Sequence, residues 1–412
     1  MAKLYTEIKA CRNCGSDHLD QMLDLGTIAI SGFPHPGDPD NYTPLTLLQC
    51  ADCSLVQLQH TVDRDHLYKD YYYRSGTNES MVKALKDIVD DAITKIPFPA
   101  SKDTVVVDIG CNDGTLLGMY PSYWKRVGFE PAFGDVDKTA WSTGAEIIGQ
   151  FFPPEGTWSD YLDEEPQIIT SIAMFYDLDD PNAFVAAIKD WLHPDGIWVL
   201  QMPSLDQMLG LNAFDNICHE HLCYWPLHPL LELLHRHGLE LEGMSTNAVN
   251  GASTRYIIKH AQRVQKPVAA KWFWHHHMQV FTQHIGRLRW ETMGLLNRLK
   301  GDGKLILGYG ASTKGNTLLQ YYGITPELLP AIADRNEDKW GKEMVGTRIP
   351  IISEEAMREM QPDYLFVLPW GFLPSFIERE KELLATGTKL IVPLPELLVT
   401  GGAPCPSIHA VR

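Results

Sequence analysis

Thr104-Val-Val-Val-Asp-Ile-Gly-Cys-Asn-Asp-Gly114 is the stretch that decides the fold. Its β-branched run, Val105 to Val107, suits a strand buried on both faces. Gly110 lets the backbone turn tightly and approach a ligand, and Gly114 keeps a second Cβ out of the way. Leu116 and Leu117 then open a helix, so the loop lies at a strand's carboxyl end, where open α/β sheets bind ligands. Arg126-Val-Gly-Phe-Glu130 reads as the next short strand, ending in a carboxylate sixteen residues after Gly114. An acid so placed can accept both ribose hydroxyls of a nucleoside cofactor, much as one does at a spacing of roughly 20 residues in dinucleotide folds.

The pattern Asp-x-Gly-x-x-x-Gly resembles motif I of class I S-adenosylmethionine (SAM) methyltransferases; the dinucleotide fingerprint Gly-x-Gly-x-x-Gly is not met. The resemblance makes Asp108, Gly110, Asn112, Asp113, Gly114 and Glu130 the expected cofactor contacts. Strand and helix patterns alternate afterwards, with strands at 167–174 and 196–201, helices at 181–191 and 229–238, and a late strand at 252–259. Such alternation implies a parallel, doubly wound sheet. A long helix is expected over 270–299, its apolar stripe Trp274, Met278, Phe281, Ile285, Leu288, Thr292 and Leu295. His275, His276 and His277 point about 100° apart on that helix and cannot share a metal.

A second α/β unit begins at Lys304-Leu-Ile-Leu-Gly-Tyr-Gly-Ala-Ser-Thr-Lys314, another buried strand meeting a glycine loop and a helix that Ser312 or Thr313 could cap. A helix N-terminus beside Lys314, with Arg335 after the next strand, could hold phosphate. A ligand-free packing unit reads equally well from this loop alone. Two glycine loops on two sheets suggest two nucleotide-bearing ligands.

The chain has 412 residues and a net charge of −17, which argues for two or three domains and against broad binding to nucleic acid or anionic membranes. It has no signal-peptide core and no run of about 18 apolar residues, so the cytoplasm is the default location. Disulfides are then unexpected. Cys11-x-x-Cys14 and Cys50-x-x-Cys53 form two knuckles that can complete a closed, structural Cys₄ zinc site. The Gly- and Pro-rich span between them would hardly hold itself without that staple. Cys111, Cys218, Cys223 and Cys405 are expected as free thiols.

Phe214-Asp-Asn-Ile-Cys-His-Glu-His-Leu-Cys-Tyr-Trp225 follows the cofactor strands. A His flanked by Glu can act as a general base near neutral pH, while the spacing of His219, Glu220 and His221 is wrong for a zinc protease motif. From spacing alone, catalytic and structural readings balance. The order of parts is what becomes recognisable: a Cys₄ module, Tyr71-Tyr-Tyr-Arg-Ser-Gly76, the glycine loop, His-Glu-His and Gly308-Tyr-Gly-Ala-Ser-Thr-Lys-Gly-Asn-Thr317. Over nearly the whole chain this resembles the three-domain sugar C-methyltransferases, which methylate C-3 of a nucleoside-diphosphate-linked 4-keto deoxyhexose. The resemblance implies a class I Rossmann-like SAM domain (71–265) between a zinc module (1–70) and a Rossmann-like substrate domain (266–412). It implies roles for Tyr73, Glu220 and His221, and His219 joins them as a catalytic candidate; chemically, His221 could be the base and Tyr73 could hydrogen-bond the enolate oxygen, or the two could be exchanged. Substrate contacts would come from Tyr71, Asp177, Cys218, Tyr309, Ser312, Lys314, Asn316 and Arg335. The expected partner is a dTDP- or GDP-sugar, bound by a monomer, with no nucleic acid or membrane involved.

Two positions depart from the family pattern. Cys218 stands where members carry Tyr before His-Glu-His, and Phe175-Tyr-Asp177 where they tend to carry a His. Reaction type survives these changes better than substrate identity does. The alternatives kept beside this reading are an O- or N-methyltransferase acting on a sugar nucleotide or another small ketone, and a zinc- and SAM-binding nucleic-acid methyltransferase.

Overall fold

The computed structural model describes residues 4–64, 67, 74–77, 79–97, 101–134, 144–262 and 274–401. Strand Val105–Ile109, buried at every position, lies inside a seven-stranded sheet. From it the chain steps outward to Lys125–Phe129 and Glu146–Ile148, then returns to build Ile168–Ile172 and Ile197–Met202 on the other side, all parallel. The reversal falls at the carboxyl end of Val105–Ile109, so the glycine loop opens into the switch-point crevice. The sheet is not wholly parallel, as the sequence led us to expect. Leu239–Asn247 and Ser253–His260 add an antiparallel hairpin at one edge. The first of these strands escaped notice because its apolar alternation stops at Gly243, where the register shifts, and its outer face is largely solvated.

The second unit repeats the logic. Ile306–Tyr309 is flanked by Ile332–Ala333 and Ile351–Ile352 on one side and by Tyr364–Val367 and Lys389–Val392 on the other, with Leu398–Thr400 antiparallel at the far edge. Its glycine loop also occupies a switch point. Gly310 adopts φ +83°, and a Cβ there would lie 2.5 Å from Pro369 Cγ, so no other residue fits that turn. Ser312, not Thr313, caps the helix Thr313–Tyr322 by accepting from Gly315 N–H.

The N-terminal module is better built than its sequence suggests. Leu19–Ala29, Tyr42–Cys50 and Val56–Leu58 form an antiparallel sheet that buries Leu23, Leu25, Ile28, Leu45, Leu47, Val56 and Leu58. The span between the knuckles thus carries strands and a buried apolar face that its Gly- and Pro-rich composition does not announce. Its fourth strand, Cys223–Tyr224, comes from just after the His-Glu-His cluster. The module is docked on both neighbours. Arg12 Nε donates to Asp179 at 3.0 Å and Arg236 Nη1 to the Asn13 carbonyl at 2.6 Å, while Arg348 pairs with Asp40 at 2.8 Å and Ala29 N–H donates to Gln320 Oε1 at 2.7 Å.

The long helix runs from His275 to Gly301 and buries Met278, Phe281, Ile285, Leu288, Thr292, Leu296 and Leu299. Leu295 is only partly buried, and the stripe continues through its neighbour Leu296, four residues beyond Thr292 and so about 40° around the helix from it, against about 60° for Leu295. Among the described residues, no helix is long and apolar enough to cross a membrane.

Candidate active site and zinc site

In each knuckle the backbone curls so that two thiols converge: Gly15 N–H donates to the Cys11 carbonyl and Ser54 N–H to the Cys50 carbonyl, both at 2.9 Å. Cys11 and Cys53 Sγ are 3.6 Å apart, Cys14 and Cys50 Sγ 3.5 Å, and all four sulfurs lie within 4.8 Å of one another. A tetrahedral thiolate site with metal–sulfur distances of about 2.3 Å needs sulfurs at about this separation. Zinc fits, and four protein thiolates leave no open position for catalysis. Among the described residues this is the one cluster of three or more such ligands placed to share a metal. Cys111, Cys218 and Cys223 are buried free thiols.

The three parts of the chain wall one cavity of about 960 Å³. Pockets for single ligands commonly hold roughly 300–1,000 Å³. Its cofactor end is formed by Asp108, Gly110, Asn112 and Glu130, with Phe129, Phe151 and Phe152 beside them. Gly110 has φ +70°, and a Cβ there would press on Met174 at 3.2 Å, so the backbone itself forms the cavity wall. Glu130 accepts the N–H groups of Asn112 (2.9 Å) and Ala132 (3.1 Å), which aim its carboxylate into the cavity. Asp108 accepts from Thr170 Oγ1 at 2.5 Å, and burial pushes its carboxyl up to about 7. Buried acids bordering an apolar, aromatic recess suit a cationic nucleoside such as SAM. Two expected contacts have other work. Asp113 accepts from Gly76 and Thr115 N–H, and Gly114 ends the loop in a left-handed turn at φ +72°, both off the cavity wall.

The chemistry end gathers Cys218, Glu220, His221, Tyr176 and Asp177. His221 Nδ1 lies 2.7 Å from the Asn216 carbonyl, which can only accept, so Nδ1 carries the proton and Nε2 keeps the lone pair. Asn216, absent from our sequence reading, is thus the group that orients His221. Glu220 instead accepts from Ser31 Oγ at 3.3 Å. Burial, with Lys314 adding to it, lowers His221 to about 3, so the ring is neutral and not poised near pH 7 as expected. Burial also raises Glu220 and Cys218. His219 points the other way: it is buried against the N-terminal module near Thr43 and His60, burial lowers it to about 4, and it does not touch the cavity. Successive side chains diverge along an irregular turn, so one histidine faces the site and the other the core. Tyr71 and Tyr73 lie outside the described residues.

The third wall holds Ser312, Lys314 and Arg335, joined by Asp334, Asn336, Lys339 and Trp370. Tyr309 and Asn316 do not reach the cavity. The Tyr309 hydroxyl is held among Glu354, Glu380 and Arg379, and Asn316 Nδ2 donates to the Gly32 carbonyl at 3.2 Å. Both act in packing, which strand and helix positions in sequence could not separate from ligand contact. Sequence reasoning also missed Asp215 and Trp370, whose indole N–H donates to Asp215 Oδ2 at 2.9 Å across the domain boundary.

A glycine loop at the switch point, two acids beneath it and a family match to a methyltransferase domain over residues 81–243 define a SAM-dependent methyltransferase. The flanks match a putative zinc binding domain over 11–68 and a C-methyltransferase C-terminal domain over 248–395, and the three matches together support SAM-dependent C-methylation. The chain is similar to the C-methyltransferase NovU of Streptomyces niveus, 29% identical over 414 residues that span 96% of this chain and 98% of that one. Looser likenesses in solved structures include the mitomycin 7-O-methyltransferase MmcR (14% identical, TM-score 0.33, 45% of this chain and 55% of that one). Another is the magnesium protoporphyrin IX methyltransferase ChlM from Synechocystis PCC 6803 (11%, TM-score 0.34, 48% and 93%). Neither bears on the chemistry.

Proposed function

We propose that this chain methylates the carbon alpha to the ketone, C-3, of a nucleoside-diphosphate-linked 4-keto deoxysugar. Residues 1–70 would serve as the zinc module, 71–265 as the SAM domain and 266–412 as the substrate domain. When bound, SAM supplies an electrophilic methyl group; the protein's task is to generate and hold a carbon nucleophile. His221 Nε2 takes the C-3 proton, and the Asn216 carbonyl keeps the ring in the tautomer that can do so. The observation that carries this reading is the neutral, oriented His221 on the wall of a cavity that also reaches the glycine loops of both sheets. Glu220 and Asp177 would meet the sugar hydroxyls, and Ser312 and Arg335 the diphosphate; all four line the cavity. Tyr73 would hydrogen-bond the enolate oxygen.

Solvent exchange tests the reading. In D₂O without SAM, the wild-type protein should wash deuterium into C-3 of the keto sugar, and His221→Asn should slow both this exchange and turnover by about 10²–10⁴-fold. Transfer to oxygen or nitrogen needs no carbon base, so methylation without any exchange would replace this proposal with the heteroatom alternative.

A further inference from the structure

A base with so weak an affinity for protons can deprotonate a carbon only if the negative charge it creates is strongly stabilised. The structure points to where that stabilisation comes from. Lys314 is the second residue of helix Thr313–Tyr322, is partly buried, and lines the cavity with Asp215, Cys218 and His221. The helix's first turns are tied to the very segment that carries the base: Thr317 Oγ1 donates to the Ile217 carbonyl at 3.0 Å. On the same wall Asp215, only 3% exposed, gives one oxygen to Trp370 and, among the described residues, has no hydrogen-bond partner for the other. Burial lowers Lys314, and the neighbouring Asp215 opposes that shift. Arg335, exposed on the same cavity, offers the more solvated cation for phosphate.

We propose that Lys314 is a catalytic residue whose ammonium group faces the sugar's ketone oxygen and stabilises the enolate, rather than holding phosphate. The inference rests on the keto-sugar reading above. In the step concerned, the C-3–H bond breaks and its proton goes to His221 Nε2. The released pair forms the C-3=C-4 bond, and the carbonyl π pair moves onto oxygen as the negative charge opposite Lys314. Reversal returns a proton, or a deuteron in D₂O, to C-3. Asp215 is a positioning residue that keeps the cation charged and turned inward.

The test is C-3 exchange in D₂O without SAM, followed by NMR at saturating keto-sugar nucleotide, alongside calorimetric titration of dTDP and GDP. Lys314→Gln should slow exchange by about 10²–10³-fold with diphosphate affinity changed less than about threefold. Lys314→Arg, which keeps the charge, should recover most of the rate. Loss of the cation should also move the acid limb of the exchange profile upward, since one cause of the low His221 value is gone. Normal exchange in Lys314→Gln, or diphosphate affinity lost with exchange at saturation intact, would overturn the inference. Failure of the wild type itself to exchange would remove the keto-sugar reading, and this inference with it. Full zinc content and retained S-adenosylhomocysteine binding in both variants separate these outcomes from misfolding.

Discussion

Asp108→Asn should stabilise the cofactor-free protein, and should do so more at pH 8 than at pH 5. Asp108 is 3% exposed, and burial raises its carboxyl from the ordinary 3.8 to about 7. A raised acid disfavours its own ionisation in the fold. Its contribution to stability is therefore complete below about pH 3.8, falls as pH rises, and is gone above about 7. Each unit of that window is worth about 1.4 kcal/mol, so the two units from pH 5 to 7 amount to about 2.7 kcal/mol in a dry site. The cavity beside Asp108 admits water, which reduces this to about 1–2 kcal/mol. Asparagine keeps an acceptor for Thr170 Oγ1 and carries no charge. At about 2–4 °C per kcal/mol, the Tm gap between variant and wild type should widen by roughly 2–8 °C from pH 5 to pH 8. Differential scanning calorimetry of both proteins at the two pH values measures this, other carboxylates cancelling in the comparison. A gap that does not change with pH, or a variant less stable at pH 8, refutes the argument. SAM should bind the variant more weakly, since the charge that burdens the empty fold is what its sulfonium cation meets.

Cys50→Ala should bring zinc content well below one per chain by metal analysis, yet leave the N-terminal sheet's burial of Leu45, Leu47 and Val56 largely in place by hydrogen exchange. Gly110→Val should block S-adenosylhomocysteine binding in calorimetry, and Glu130→Ala should weaken it by about 1.5–3 kcal/mol; unchanged affinity in both moves the cofactor elsewhere. Leu296→Ala should cost about 2–5 kcal/mol in denaturant melts and Leu295→Ala clearly less, the order set by their burial.

What could be read in the sequence was local. The strand before Gly110, the acid at 130 and the two Cys-x-x-Cys turns each declare themselves within a few residues, because steric and metal-ligand geometry act over that range. The rest depends on partners far along the chain. Nothing near His221 announces that the Asn216 carbonyl, not Glu220, will orient it, since both lie within five residues and only the turn's path decides. Asp215 meets Trp370 across 155 positions, and the core of the N-terminal module is completed by a strand from residues 223–224. Tyr309 shares a strand end with the glycine loop, yet its hydroxyl finds Glu354 on a later helix and Glu380 in the turn between two more.

That borrowed strand sets an order of events during synthesis. Tyr42–Cys50 and Val56–Leu58 emerge from the ribosome early, but Val56–Leu58 stays an open edge until Cys223–Tyr224 arrives to pair with it. The thiolates around zinc can hold the incomplete sheet through that wait. A fragment ending before residue 223 would keep the metal site and expose the edge, whereas one beginning after residue 70 would leave the turn carrying His221 without the strand that pins it.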